Sequence, residues 1–169
     1  MQKGKEQKPH IGIYGRRNYG KSSFINCITG QDIAIVSDVA GTTTDPVKKS
    51  YEITGFGPVI LIDTAGLDDE GEIGQKRIKK TFETLSIIDL AILIITANTF
   101  DAFEEKLIRE FQKLDIPYIV IYNKTDIYPA QKEFIEKVEN ITHQQLHFFS
   151  VKQPIQLNNI IQAIKQAIP

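Results

Sequence analysis

Gly15-Arg16-Arg17-Asn18-Tyr19-Gly20-Lys21-Ser22 decides how the rest of the chain is read. It has the pattern G-x-x-x-x-G-K-[ST]. The apolar run at 11–14 precedes it and reads as a strand; residues 23–28 follow and read as the start of a helix. That setting matters as much as the letters. A strand must deliver the loop and a helix must begin beneath it, so that backbone N–H groups and the helix N-terminus point at phosphate oxygens. Gly15 and Gly20 let the backbone turn tightly around an anion. Lys21 brings positive charge to the outer phosphates, and the Ser22 hydroxyl can hold Mg²⁺.

Working outward, strand and helix patterns alternate with no low-complexity linker and no repeat. Strands are expected at 10–14, 48–53, 58–62, 90–95, 118–122 and 147–149. Four are near-continuous apolar runs, which suits strands covered on both faces. The segment 48–53 alternates instead, with Tyr51 and Ile53 opposite Ser50 and Glu52. That fits an edge strand, and the short turn at 54–57 pairs it antiparallel with 58–62. Apolar stripes mark the helices: Ile78, Phe82 and Leu85; Phe103, Leu107, Phe111 and Leu114; Phe134, Val138 and Ile141; Leu157, Ile160, Ile161, Ile164 and Ile168. These are core-facing. The expected fold is α/β: a six-stranded, mostly parallel sheet with one antiparallel edge strand and helices on both faces, three layers in all. Ligands in such folds sit at the carboxyl ends of the strands.

The remaining polar motifs fall at such ends. Asp63-Thr64-Ala65-Gly66 follows 58–62. An aspartate there can approach Mg²⁺ through a bound water, and the Gly66 N–H can meet a terminal phosphate oxygen. Gly41-Thr42-Thr43-Thr44-Asp45 lies between the first helix and the edge strand. A threonine hydroxyl there, Thr43 with Thr42 or Thr44 as alternatives, completes the Mg²⁺ shell when a γ-phosphate is present, in a loop that orders with nucleotide. Asn123-Lys124-Thr125-Asp126 follows 118–122. The Asp126 carboxylate can accept from guanine N1–H and N2–H₂, a pair that adenine does not present. Ser150-Val151-Lys152 follows the last strand and closes over the base from the other side.

Composition agrees with an ordinary globular domain: 41% hydrophobic and 24% charged residues, within 169 residues. A net charge of −1 supplies no field for nucleic acid or a membrane surface. The longest apolar stretch, 90–97, is too short to span a bilayer. Residues 1–9 are polar and lysine-rich, unlike a secretory signal, and read as a mobile lead-in to a single domain over 10–169. The one cysteine, Cys27, excludes an internal disulfide and a cysteine metal cluster within this chain, and it reads as a buried structural thiol. A reducing, cytoplasmic location fits. His10, His143 and His147 lack metal-ligand spacing.

Together GRRNYGKS, GTTTD, DTAG, NKTD and SVK resemble a Ras-like GTPase of the translation-factor superclass, across essentially the whole chain. The runs at 36–47 and 57–72 further resemble the N-terminal GTPase domain of HydF, the maturation GTPase of [FeFe]-hydrogenase. The MnmE-type tRNA-modification GTPases, in the same Era-like superfamily, share GRxN-x-GKSS and GTT-x-D.

The resemblance implies binding of GTP and GDP with Mg²⁺ and hydrolysis to GDP and phosphate. The nucleotide would be held by residues 18–23 of the loop and helix start (Asn18, Tyr19, Gly20, Lys21, Ser22 and Ser23), by Thr42 and Thr43, by Asp63 and Gly66, by Asn123, Lys124 and Asp126, and by Ser150, Val151 and Lys152. Ser22, Thr43 and Asp63 would serve Mg²⁺. Asn18 implies a K⁺ ion beside the phosphates, a cation that stands in for an arginine finger. Leu67 occupies the position where many small GTPases carry a water-orienting glutamine, so intrinsic hydrolysis is expected to be slow. Glu72, with Glu70 as second candidate, would act through water, beside catalytic contributions from Lys21, Thr43 and Gly66. The implied partners are other hydrogenase-maturation proteins, the dimerisation and cluster domains absent from this chain, and a second copy of itself. With one cysteine this chain would hold no iron–sulfur cluster.

Overall fold

The computed structural model describes residues 8–16, 19–29, 47–53, 55–63, 82–124, 126–150, 152 and 156–168. Six strands are described: β1 (His10–Gly15), β2 (Val47–Ile53), β3 (Gly57–Asp63), β4 (Leu90–Ile95), β5 (Tyr118–Tyr122) and β6 (His147–Phe148). They form one sheet in the order β2-β3-β1-β4-β5-β6. All neighbours are parallel except β2 and β3, whose hairpin runs from Val47 opposite Asp63 to Ile53 opposite Gly57. The alternation of β2 thus marks an edge: Ile53 is buried while Lys48, Lys49, Ser50 and Glu52 are exposed.

The α-helices described from end to end are α1 (Lys21–Thr29), α2 (Ala102–Lys113), α3 (Lys132–Thr142) and α4 (Leu157–Ala167), and a 3-10 turn covers Thr84–Ser86. Period-2 alternation distributes the buried strands between two separate cores. Ile11 and Ile13, Leu90, Ile92 and Ile94, and Ile119 and Ile121 pack on one face against Phe24, Ile28, Ile160 and Ile164 of α1 and α4. Tyr14, Ala91, Leu93, Ile95, Val120 and Tyr122 pack on the other against Leu107, Phe111, Phe134 and Val138 of α2 and α3. The expected three-layer arrangement is therefore present.

Several details differ from the sequence reading. α1 begins at Lys21, two residues earlier than expected, so the helix N-terminus lies inside the glycine motif. β6 is paired over only two residues and stops before Phe149. Leu114 does not continue the α2 stripe: it follows the helix end and is 49% exposed. Cys27 is half-buried on α1, not enclosed, though burial still raises its thiol pKa. Ile78 lies outside the described residues. Among those residues, no helix is long and apolar enough to cross a membrane.

Burial holds the β6 imidazole of His147 below its ordinary pKa of 6.5. In the unfolded chain it regains that value, so unfolding takes up a proton between the two. The contribution of His147 to stability is thus complete above pH 6.5 and is lost as pH falls through the lower folded value. Urea midpoints should drop between pH 7.5 and 5.5 by more in the wild type than in His147→Gln. Parallel pH profiles would rule out His147 as a source.

Candidate functional site: a phosphate loop tied to a base-reading loop

Because β1, β3, β4, β5 and β6 are parallel, the loops after them share one rim of the sheet. Gly15 ends β1 with φ of +151°, and a Cβ there would stand 2.8 Å from the Ile94 carbonyl oxygen. Lys21 opens α1 and its Nζ donates to the Gly15 carbonyl at 2.8 Å, folding the ammonium back over the loop. The Phe24 N–H donates to the Gly20 carbonyl at 3.0 Å, closing the first helical turn. The first amides of a helix have no intrahelical carbonyl to donate to, which suits such a turn to an anion. Ser22 and Ser23 are exposed on that turn. A hydroxyl beside phosphate oxygens is a hard-oxygen environment, which suits Mg²⁺. Asp63 ends β3 opposite Ile13 of β1, next to the start of the loop; the described part of this residue is its backbone. Among the described residues no group of three or more His, Cys, Asp or Glu gathers to hold a metal.

On the other side of the rim stands Asn123, only 3% exposed. Its backbone N–H donates to the Ile95 carbonyl at 2.8 Å, and its carbonyl accepts from the Thr96 hydroxyl at 2.6 Å. Its Nδ2 donates to the Tyr19 carbonyl at 2.8 Å, across 104 residues of sequence. One asparagine amide thus joins the two motifs. Lys124 is left-handed, with φ of +61°, and starts a turn in which the Ile127 and Tyr128 N–H groups donate to its carbonyl at 3.0 and 2.8 Å. Its Cε lies 3.5 Å from where a Gly20 Cβ would be, so its stem crosses the phosphate loop. The Asp126 carboxylate follows. Ser150, fully buried, donates its hydroxyl to Asp126 Oδ1 at 2.7 Å, and Lys152 Nζ is 3.9 Å from Oδ2. The Ser150 hydrogen bond is the main reason that the Asp126 pKa lies below the ordinary carboxylate value. The same hydroxyl accepts from the Lys152 N–H at 3.2 Å, so one serine organises the third segment. Two loops and a strand end therefore converge on this rim.

A family model described as 50S ribosome-binding GTPase matches residues 10–124. The chain belongs to this GTPase family. As a GTPase domain it binds GTP and GDP, with Mg²⁺ the usual companion ion, and hydrolyses GTP. It is 39% identical over 119 residues to the tRNA modification GTPase MnmE of Chromobacterium violaceum, covering 70% of this chain and 26% of that protein. It is 37% identical over 138 residues to the GTPase Der of Wolinella succinogenes, covering 79% of this chain and 29% of that protein. The GTPase domain thus spans under a third of the length of these relatives. Crystal structures of Era from Aquifex aeolicus, bound to GDP·AlF₄⁻ (TM-score 0.75, 24% identity, 95% of this chain and 56% of that one), and of a probable GTP-binding protein engB (TM-score 0.72, 20% identity, 93% and 99%) share its Ras-like fold.

Asn18, Thr42, Thr43, Thr44, Gly66, Glu70, Glu72 and Val151 lie outside the described residues, so the positions expected for K⁺, for the γ-phosphate and for the attacking water are not described here. The sequence reading also passed over residues that brace this rim by hydrogen bonds. Asn98 accepts from the Gln131 N–H at 2.8 Å and donates Nδ2 to the Pro129 carbonyl at 3.1 Å, bracing the end of the loop that follows β5. The buried Tyr122 hydroxyl accepts from the Asn98 N–H at 3.1 Å and donates to the Tyr128 carbonyl at 2.8 Å. Arg16, although within the motif, reaches away from it to Glu104. Only the last had a local signal: Asp101 and Glu104 have the spacing of a capping box.

Proposed function

We propose that this GTPase domain is the nucleotide-controlled switch of an [FeFe]-hydrogenase maturation factor of the HydF type, Mg²⁺-dependent and K⁺-stimulated, with 10–169 as the G domain and 1–9 as a lead-in. The Asn123 amide on the Tyr19 carbonyl carries the nucleotide reading, because it joins the phosphate-binding and base-binding motifs into one site. The runs at 36–47 and 57–72 support the client assignment. In this reading Lys21 clamps the outer phosphates, Asp126 selects guanine, and Ser22, Thr43 and Asp63 serve the magnesium. Gly66 receives the terminal phosphate, and Glu72 orients water. Mg²⁺, when bound, neutralises charge developing between the β- and γ-phosphates. Hydrolysis is slow because Leu67 cannot hydrogen-bond the attacking water. A second copy, other maturation proteins and further domains of a longer protein are the proposed partners.

Phosphate release from GTP and ATP, each in KCl and NaCl, tests this. GTP alone should turn over. K⁺ should raise the rate roughly tenfold, equivalent to about 1.4 kcal/mol off the barrier. Asn18→Ala should lose the response. Equal rates in the two salts would remove the potassium site.

The 39% identity to MnmE favours a second reading equally well, in which the same switch serves tRNA modification or ribosome assembly. Tight RNA binding by this chain would decide for it. A third role, a binding module with incidental turnover, would appear as a partner whose affinity differs between GTP and GDP forms while hydrolysis mutants keep function.

A further inference from the structure

Arg16, the residue after Gly15, turns its guanidinium away from the phosphate loop. Its Nε donates to Glu104 Oε2 at 2.7 Å and its Nη2 to Oε1 at 2.9 Å, a two-pronged pair. Glu104 lies in the first turn of α2 and is fully buried. The same Oε1 also accepts the Asp101 N–H at 2.8 Å, so one carboxylate caps the helix and grips the loop. The Phe103 ring lies 5.9 Å from the guanidinium carbon, and Asp101 Oδ2 is 3.8 Å from Nη2. The loop is thus held from two sides. α2 holds its start through Arg16, and Asn123, the residue after β5, holds its middle at the Tyr19 carbonyl. Between these points lie only residues 17 and 18. The Gly15 carbonyl that receives Lys21 Nζ is bonded directly to the Arg16 nitrogen, so moving Arg16 moves the lysine's seat.

We propose that Arg16 and Glu104 are a pair of positioning residues for the nucleotide, holding the start of the phosphate loop against α2 before phosphate arrives. The pair does not touch the phosphates; it removes part of the ordering that binding would otherwise require. This rests on the reading of 15–22 as the phosphate loop.

Glu104→Gln is the informative change. With its amide oxygen in the Oε1 position it can still accept from Asp101 N–H and Arg16 Nη2, while its NH₂ faces Arg16 Nε, so the charge and one prong of the pair are lost. Leu107→Ala, in the α2 core, is the control that destabilises the same helix without touching the pair. Fluorescent-GDP titrations and melting temperatures would be measured for all variants. We expect Glu104→Gln and Arg16→Ala each to weaken GDP about tenfold, or about 1.4 kcal/mol. The double variant should be no weaker than Arg16→Ala alone. Leu107→Ala should lower the melting temperature and leave GDP affinity within about twofold. Wild-type GDP affinity in Glu104→Gln would overturn the inference alone, as would an equal loss in Leu107→Ala. Absence of GDP binding by the wild type would overturn the phosphate-loop reading and this inference with it.

Discussion

Asp126→Asn should weaken GTP and GDP by about a hundredfold or more and let xanthosine nucleotides bind in their place. Guanine offers N1–H and N2–H₂ to a carboxylate, and hydrogen bonds to a charged acceptor contribute about 1.5–3 kcal/mol each. An asparagine amide keeps one acceptor but turns a donor toward the guanine amino group. Xanthine carries a carbonyl there and accepts that donor. Ser150 holds Oδ1 at 2.7 Å, so one oxygen of the carboxylate is already fixed in the free domain. That bond also lowers the Asp126 pKa below 3.8. The carboxylate therefore stays ionised through neutral and mildly acidic pH, and this group should cause no loss of guanine affinity until pH falls toward its lowered pKa. Competition of GTP and XTP against a fluorescent guanine nucleotide measures the switch. Unchanged GTP affinity in the variant would mean that Asp126 does not read the base.

The second large effect is expected at Gly20. Its φ is +88°, a conformation that side-chain-bearing residues rarely adopt, and a Cβ there would collide with the Asn123 amide. Gly20→Ala must therefore pay backbone strain of about 1–3 kcal/mol. It must also displace the amide that holds the Tyr19 carbonyl, losing a hydrogen bond of about 1 kcal/mol net. For a chain of this size such a loss lowers the melting temperature by roughly 5–15 °C. The functional loss should be larger still, since the phosphate loop and base-reading loop would no longer share their link. GDP and Mg²⁺ should raise the wild-type melting temperature and leave that of the variant unmoved. A variant that melts like wild type and responds to GDP would show that the loop yields there at little cost.

The buried strands were legible because each is short, apolar and covered on both faces; β4 and β5 lie where the runs of isoleucine, leucine and valine place them. β2 was legible for the opposite reason, its alternation. The boundary of α1 was not: Lys21 and Ser22 look like ligands in the motif, and they are ligand candidates and helix residues at once. The stripe through Leu114 misled because spacing alone cannot show that the helix ends first. Asp126 and Ser150 were readable as motif members, but their direct contact depends on β6 lying beside β5, which no local pattern announces. Asn98 and the Arg16–Glu104 pair are pairings across 31 to 88 residues. The capping-box spacing of Asp101 and Glu104 marks one partner's local role, but nothing near either residue in sequence encodes the long-range pairing itself. The expectations for Thr43, Gly66 and Glu72 lie outside the described residues.

The two borders of the sheet limit how copies of this domain can associate. One border is β6, with two paired residues and little ladder to extend. The other is β2, whose exposed Lys48, Lys49 and Glu52 would have to shed water if a foreign strand were laid alongside. Neither margin favours zipping one sheet onto another, so self-association should use the loops and helices, and protein released at high concentration should be guarded against fibrous polymerisation.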